Sequence, residues 1–115
     1  MQFTVPVLHY GLVSRDKVLY TKEIVDSIVD QYNTKHIQQG FNLSCKDDSV
    51  SLDHSNPSFT VKELWVDDNR LMLMATIYSD NDLFQFKGIS PQGCIQSKVI
   101  AGITLVTKFE LGYFA

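Results

Sequence analysis

Basic charge is what this chain most conspicuously has too little of. Ten Lys and Arg face thirteen Asp and Glu, for a formal net charge of -3. The basic residues are scattered, and most have acidic neighbours in sequence. Phosphate binding needs a concentrated cationic surface, so nucleic acid is excluded as the main ligand. Cysteine is sparse too: Cys45 and Cys94 lie far apart, at no metal-ligand spacing, and read as a reduced intracellular pair. Long apolar runs are missing. The longest, residues 99–106, is interrupted by Gly102 and Thr104 and falls far below the roughly 20 residues a membrane helix needs. The opening MQFTVPVLHY has no basic region and is too interrupted for a signal peptide. No internal repeat or low-complexity tract breaks the chain, and 115 residues predict one domain, residues 1–115, with one core.

Residues 2–10 alternate Phe3, Val5 and Val7 against Gln2, Thr4 and Pro6. That period of two predicts a strand, and Pro6 predicts an edge or a bulge. Residues 11–17 form a connection with a polar turn at Ser14-Arg15-Asp16-Lys17. The one strong helical pattern spans about residues 22–38, where Ile24, Val25, Ile28, Val29 and Tyr32 make a single stripe. Thr21 supplies an N-cap, Glu23 and Lys35/His36 suit the helix dipole, and Gly40 supplies a stop.

After a short strand within residues 41–46 and a turn at Lys46-Asp47-Asp48, the most informative stretch begins: SVSLDHSNPSFTVKELWVDDNRLMLMA, residues 49–75. It reads as a strand, a polar corner holding Asp53-His54, and two strands (59–66 and 70–78) joined by an acidic hairpin turn at Asp67-Asp68-Asn69. Leu71, Leu73, Ala75 and Ile77 share one face of the second strand, Met72, Met74, Thr76 and Tyr78 the other. With both faces largely apolar, it is predicted to be central and covered on both sides. A further turn is expected at residues 79–82, turn chemistry again at Ser90-Pro91-Gln92-Gly93, and a last strand over 99–110 bent at Gly102. The fold class is α+β: mainly an antiparallel sheet or small barrel with one principal helix.

Asp53-His54-Ser55-Asn56-Pro57, Val61-Lys62-Glu63-Leu64-Trp65 and Arg70-Leu71-Met72 together resemble a segment of the phage prohead maturation proteases, most strongly the branch of large contractile-tailed phages. In that family, whose fold is herpesvirus assemblin-like, a strand ends in a corner holding a catalytic histidine. A Trp-containing hairpin follows, then a G-V-S-S-R-G-like segment with the nucleophilic serine; Gly88-Ile89-Ser90-Pro91-Gln92-Gly93 is similar to it. Residues 11–29 also look like the family's opening. The resemblance implies His54 as general base and Ser90 as nucleophile, since a serine hydroxyl attacks poorly until an imidazole takes its proton. An amide of Gln92 or Gly93 would serve the oxyanion.

Three departures point away from cleavage. The family's helix between hairpin and serine is reduced to residues 79–87, and Pro91-Gln92 replace small or basic residues, with proline removing an amide donor. No acid is singled out as third member among Asp53, Asp67 and Glu110. The expected protein is therefore a virion or head-assembly protein with a shortened, inactive protease-like fold, in the virion or the host cytoplasm. Its partners are other head or virion proteins, with self-association included, and neither cofactor nor metal is implied. An active maturation protease is the alternative, and a small phage protein binding a host factor a third reading.

Other residues read blandly. His9 and His36 stand at no spacing that pairs them with Ser90. The acids Asp47, Asp48, Asp67, Asp68, Asp80 and Asp82 lack the glycine and terminal glutamate of a Ca²⁺ loop and read as solvated turns. Trp65, Met72 and Met74 read as core, with a subunit contact surface as the alternative.

Overall fold

The structure is a computed structural model, and it describes residues 2–35, 43–44, 49–50, 60–78 and 89–114. Among the described residues, two three-stranded sheets and one helix close around a shared core. In chain order the elements are β1 (Gln2–His9), β2 (Val18–Leu19), α1 (Lys22–Lys35), β3 (Leu43–Ser44), β4 (Ser49–Val50), β5 (Thr60–Asp67), β6 (Met72–Tyr78), β7 (Pro91–Ile100) and β8 (Ile103–Phe114). The first sheet runs β1-β6-β5, the second β2-β8-β7, and β3 pairs with β4. All pairings are antiparallel except β2 with β8. This is the expected α+β class, and the described strands make separate sheets rather than a closed barrel.

The first sheet shows how sequence alternation becomes a packed face. Register places Leu8, Leu73 and Val66 in one cross-strand row, Val5, Ala75 and Leu64 in the next, and Phe3, Ile77 and Val61 in a third. Leu73, Ala75 and Ile77 are fully buried, and burying a large aliphatic of this kind is worth about 1.5–3 kcal/mol. β6 is central, as its two apolar faces predict. The other face of the sheet carries Met74, buried, with Met72 and, on β5, Trp65 half-buried. Pro6 sits in an edge strand at a register shift between Pro6 and Leu8. That bulge hands the inward position from Val7 to Leu8, so both expectations for the proline hold.

The helix starts where Thr21 predicts. The Thr21 hydroxyl accepts from the Ile24 amide at 3.4 Å. Ile24, Val25, Ile28 and Tyr32 are buried, and Val29 packs at the margin. The stripe meets the Val106, Phe109, Leu111 and Phe114 side of β8. Tyr32 stacks edge-on against Phe114, at 6.1 Å between centroids, and its hydroxyl donates to the Val61 carbonyl at 2.8 Å. Gln31 adds a bond pair: its Nε2 donates to the Phe109 carbonyl at 2.6 Å, and its Oε1 accepts from the Leu111 amide at 2.8 Å. Beyond the point where β2 stops, the carboxamide takes the place of a neighbouring strand along β8. The predicted end of the helix, at His36 to Gly40, lies outside the described residues.

Three expectations change. Pro91, Gln92 and Gly93 do not turn; they begin β7, opposite Phe114, Tyr113 and Leu111. Gly102 does not bend a strand either. Ala101 (φ 51°) and Gly102 (φ 79°) form the two-residue loop of the β7–β8 hairpin, and two positive φ values are the signature of a type I′ turn. Cys94 is disulfide-bonded rather than reduced. Cys45, the other cysteine, lies outside the described residues.

Candidate functional site

Ser90 is exposed, one residue before β7. Its position is set by Ile89, whose buried side chain enters the core and whose amide donates to the Pro6 carbonyl at 3.2 Å. Past Ser90 the chain goes directly into a β-ladder, so Gln92 and Gly93 stand in a strand and not in a loop wrapped around the hydroxyl. His54 and Asp53 lie outside the described residues. Of the other acids, Glu110 is opposite Cys94, four residues along the ladder from Ser90, or about 13 Å at the rise of a strand. Asp67 is committed to its own turn, with an oxygen 3.6 Å from Arg70 Nε and another accepting from the Asn69 amide at 3.1 Å.

A second polar cluster joins three elements. The Tyr10 hydroxyl, just past β1, donates to Asp68 Oδ1 at 2.5 Å, and Lys22 Nζ at the helix start lies 3.2 Å from the same oxygen. The hydrogen bond from Tyr10, then that from Lys22, hold the Asp68 carboxyl below its ordinary range. The same bond and the neighbouring negative charge push Tyr10 up to about 12. Burial alone raises Tyr20, whose ring packs near Phe109 at 6.5 Å. Strong as it is, the cluster pins the β5–β6 turn to the helix N-terminus and presents no spare nucleophile. Among the described residues no group of three His, Cys, Asp or Glu side chains could hold a metal ion. No described helix is long and apolar enough to cross a membrane.

The unusual surface is at the far end of the second sheet. From Ile95 to Gly102 every residue of the β7–β8 hairpin is exposed, although Ile95, Val99 and Ile100 are large aliphatics; Val99 is 71% exposed. The loop of residues 11–17 reaches the same end. Val13 bridges to Leu19, Leu19 pairs with Leu105, and Leu105 pairs with Lys98. Leu12 and Val13 are exposed as well. Beside them a groove of about 290 Å³ is lined by Leu8, His9, Leu12, Val13, Val18 and Tyr20, apolar apart from the His9 ring, the Tyr20 hydroxyl and Ser14. The sequence reading passed over this end because residues 99–106 look like core strand; only the topology shows that their first half projects.

No family model, no curated protein and no solved structure matches this chain.

Proposed function

We propose that the chain is a phage virion or head-assembly protein, a shortened and catalytically silent form of the prohead-protease fold that works by protein–protein contact. Its partners are other head or virion proteins and copies of itself, in the virion or in the host cytoplasm during assembly. The observation that carries the contact reading is the apolar hairpin end, where Ile95, Val99 and Ile100 stand exposed, with Leu12 and Val13 exposed across the sheet. Single exposed aliphatics are ordinary, whereas a cluster on a projecting hairpin is surface that a partner covers. The phage-head assignment rests on the motif resemblance around His54, Trp65 and Ser90. Loss of cleavage is supported by the shortened 79–87 segment and by Ser90 leading straight into a strand.

Mass spectrometry of purified immature and mature particles tests the assignment, and absence of the chain from every particle refutes it. A fluorophosphonate probe tests the catalytic half. The folded protein is expected to stay unlabelled. Labelling that both Ser90→Ala and His54→Ala abolish would make it an active serine protease, with His54 as base and Ser90 as nucleophile.

A further inference from the structure

Among the described residues β7 has one strand partner, although β3 packs against it. β8 runs along one side, and no described strand pairs with the other. Which backbone groups face that opening follows from bonds made on the far side of β8. The Thr104 amide donates to Lys17, and Phe109 and Leu111 bond to Gln31, so these β8 residues direct their polar groups away from β7. In an antiparallel ladder their opposite numbers do the same. Val99 faces Thr104 and Ile95 faces Phe109. The N–H and C=O of Ile95 and Val99, and by alternation those of Ser97 between them, therefore point out of the open edge.

We infer that this edge pairs antiparallel with the same edge of a second copy, about a two-fold axis at Ser97; this deepens the contact reading above by naming the partner. The sequence of the edge is self-complementary in that register. Ser97 meets Ser97 of the second copy, and Ile95 meets Val99 in both directions, each pair exchanging its N–H···O=C bonds. Ile95 and Val99, exposed in the single chain, then cover each other on one face. On the opposite face Lys98 meets Gln96, so no like charges are set opposite one another. From Ile95 to Ile100 the edge carries one charged residue, Lys98, and no proline, and the register shift between Gln96 and Ser97 arises from the extra residue Thr107 on β8, so that no residue is inserted on the β7 side. A contact this short buries less than a standard interface of about 1,200–2,000 Å², so the dimer is reversible and concentration-dependent.

Sedimentation equilibrium on the full 115-residue chain tests this. The wild type is expected to rise with concentration from 13.1 kDa toward twice that mass. Ser97→Pro removes a donor that faces the open edge and none that faces β8, so it keeps the wild-type circular dichroism and stays monomeric. The double variant Ile95→Lys/Val99→Lys sets like charges opposite each other and weakens dimerisation at least about tenfold, while Ile95→Glu/Val99→Lys sets opposite charges in the same register and restores it. The charge pair decides the outcome even where the proline variant fails to fold. A wild type that stays monomeric at the highest soluble concentration overturns the inference, as does association indifferent to the sign of residue 95. A monomer that still co-purifies with heads refutes self-pairing and leaves the contact reading standing; a dimer absent from every particle refutes the phage-head assignment and leaves self-pairing standing.

Discussion

Gln31→Leu is the substitution that most directly tests how the helix holds the second sheet. The side chain keeps nearly its volume but loses both bonds to β8, at 2.6 Å and 2.8 Å. A net hydrogen bond is worth about 1 kcal/mol, and each partly buried backbone group left without a partner adds a further penalty of about 1 kcal/mol or somewhat less where water reaches it. The expected loss is about 2–4 kcal/mol, a substantial share of the roughly 5–15 kcal/mol that stabilises a domain. In melting temperature that is a fall of about 8–16 °C for a chain of this size. Urea unfolding followed by circular dichroism reads the energy. Hydrogen exchange reads the place: the Leu111 amide should lose protection more than residues in the β5–β6 hairpin. Asn33→Ala, an exposed change two residues along the helix, is the control and should raise stability slightly through helix propensity. If Gln31→Leu changes stability by less than about 0.5 kcal/mol and leaves Leu111 protected, the carboxamide is not closing the edge of β8.

Other perturbations give outcomes of either sign. Ala101 occupies a left-handed conformation that an L-residue with a Cβ adopts at a cost of about 1–2 kcal/mol, so Ala101→Gly should stabilise the protein by about 0.5–1 kcal/mol, read as a higher urea midpoint at unchanged slope. Gly93→Ala should do the opposite and severely: a Cβ there would lie 1.9 Å from the Glu110 carbonyl oxygen, and the expected loss exceeds about 3 kcal/mol or abolishes folding, visible as loss of the cooperative melt. The Tyr10–Asp68 bond sets two pH limits. Asp68 is depressed in the folded state, so its contribution is present above the ordinary carboxylate range and lost as pH falls through the folded value. Tyr10 is raised, so its contribution is present below about 10 and lost as pH climbs toward about 12. Melts across pH should show both losses in the wild type; Tyr10→Phe should abolish the alkaline loss and reduce the acid one, of which the part due to Lys22 remains, and ultraviolet titration should show a late-ionising tyrosine that Asp68→Asn moves down.

The helix and the β5–β6 hairpin were legible because their signals are local. Thr21 caps the turn it precedes, the apolar stripe has the helical period, and Asp67, Asp68 and Asn69 sit where a hairpin must reverse. What escaped depends on distant partners. A glutamine on a helix has no feature that announces a sheet edge 78 residues away. The bonding of Cys94 is a tertiary fact that no spacing in the sequence encodes. The β7–β8 turn was hidden because its first residue is Ala101, where turn chemistry favours Asn, Asp or Gly, so only Gly102 remained and read as a bend. Pro91 and Gly93 misled for the converse reason: proline is tolerated as the first residue of a strand, and here glycine is demanded by sheet packing.

The protease-like segment Gly88-Ile89-Ser90-Pro91-Gln92-Gly93 owes part of its likeness to packing. Gly93 has a steric reason to be glycine, since the Glu110 carbonyl occupies the space of a side chain. Ile89 has a packing reason to be aliphatic, since it is buried in the core. Two matches in the segment therefore follow from the fold and would persist in a protein that never cleaved anything. Ser90 is different: it is exposed, and nothing in the packing requires a hydroxyl there. The chemical content of the resemblance thus rests on that one side chain and on His54. A comparison of Ser90→Ala with Gly93→Ala separates the two contributions. In the contact protein proposed here, Ser90→Ala should leave both the melt and particle incorporation unchanged, while Gly93→Ala abolishes both. Loss of incorporation in a normally folded Ser90→Ala variant would mean that the hydroxyl still has work to do.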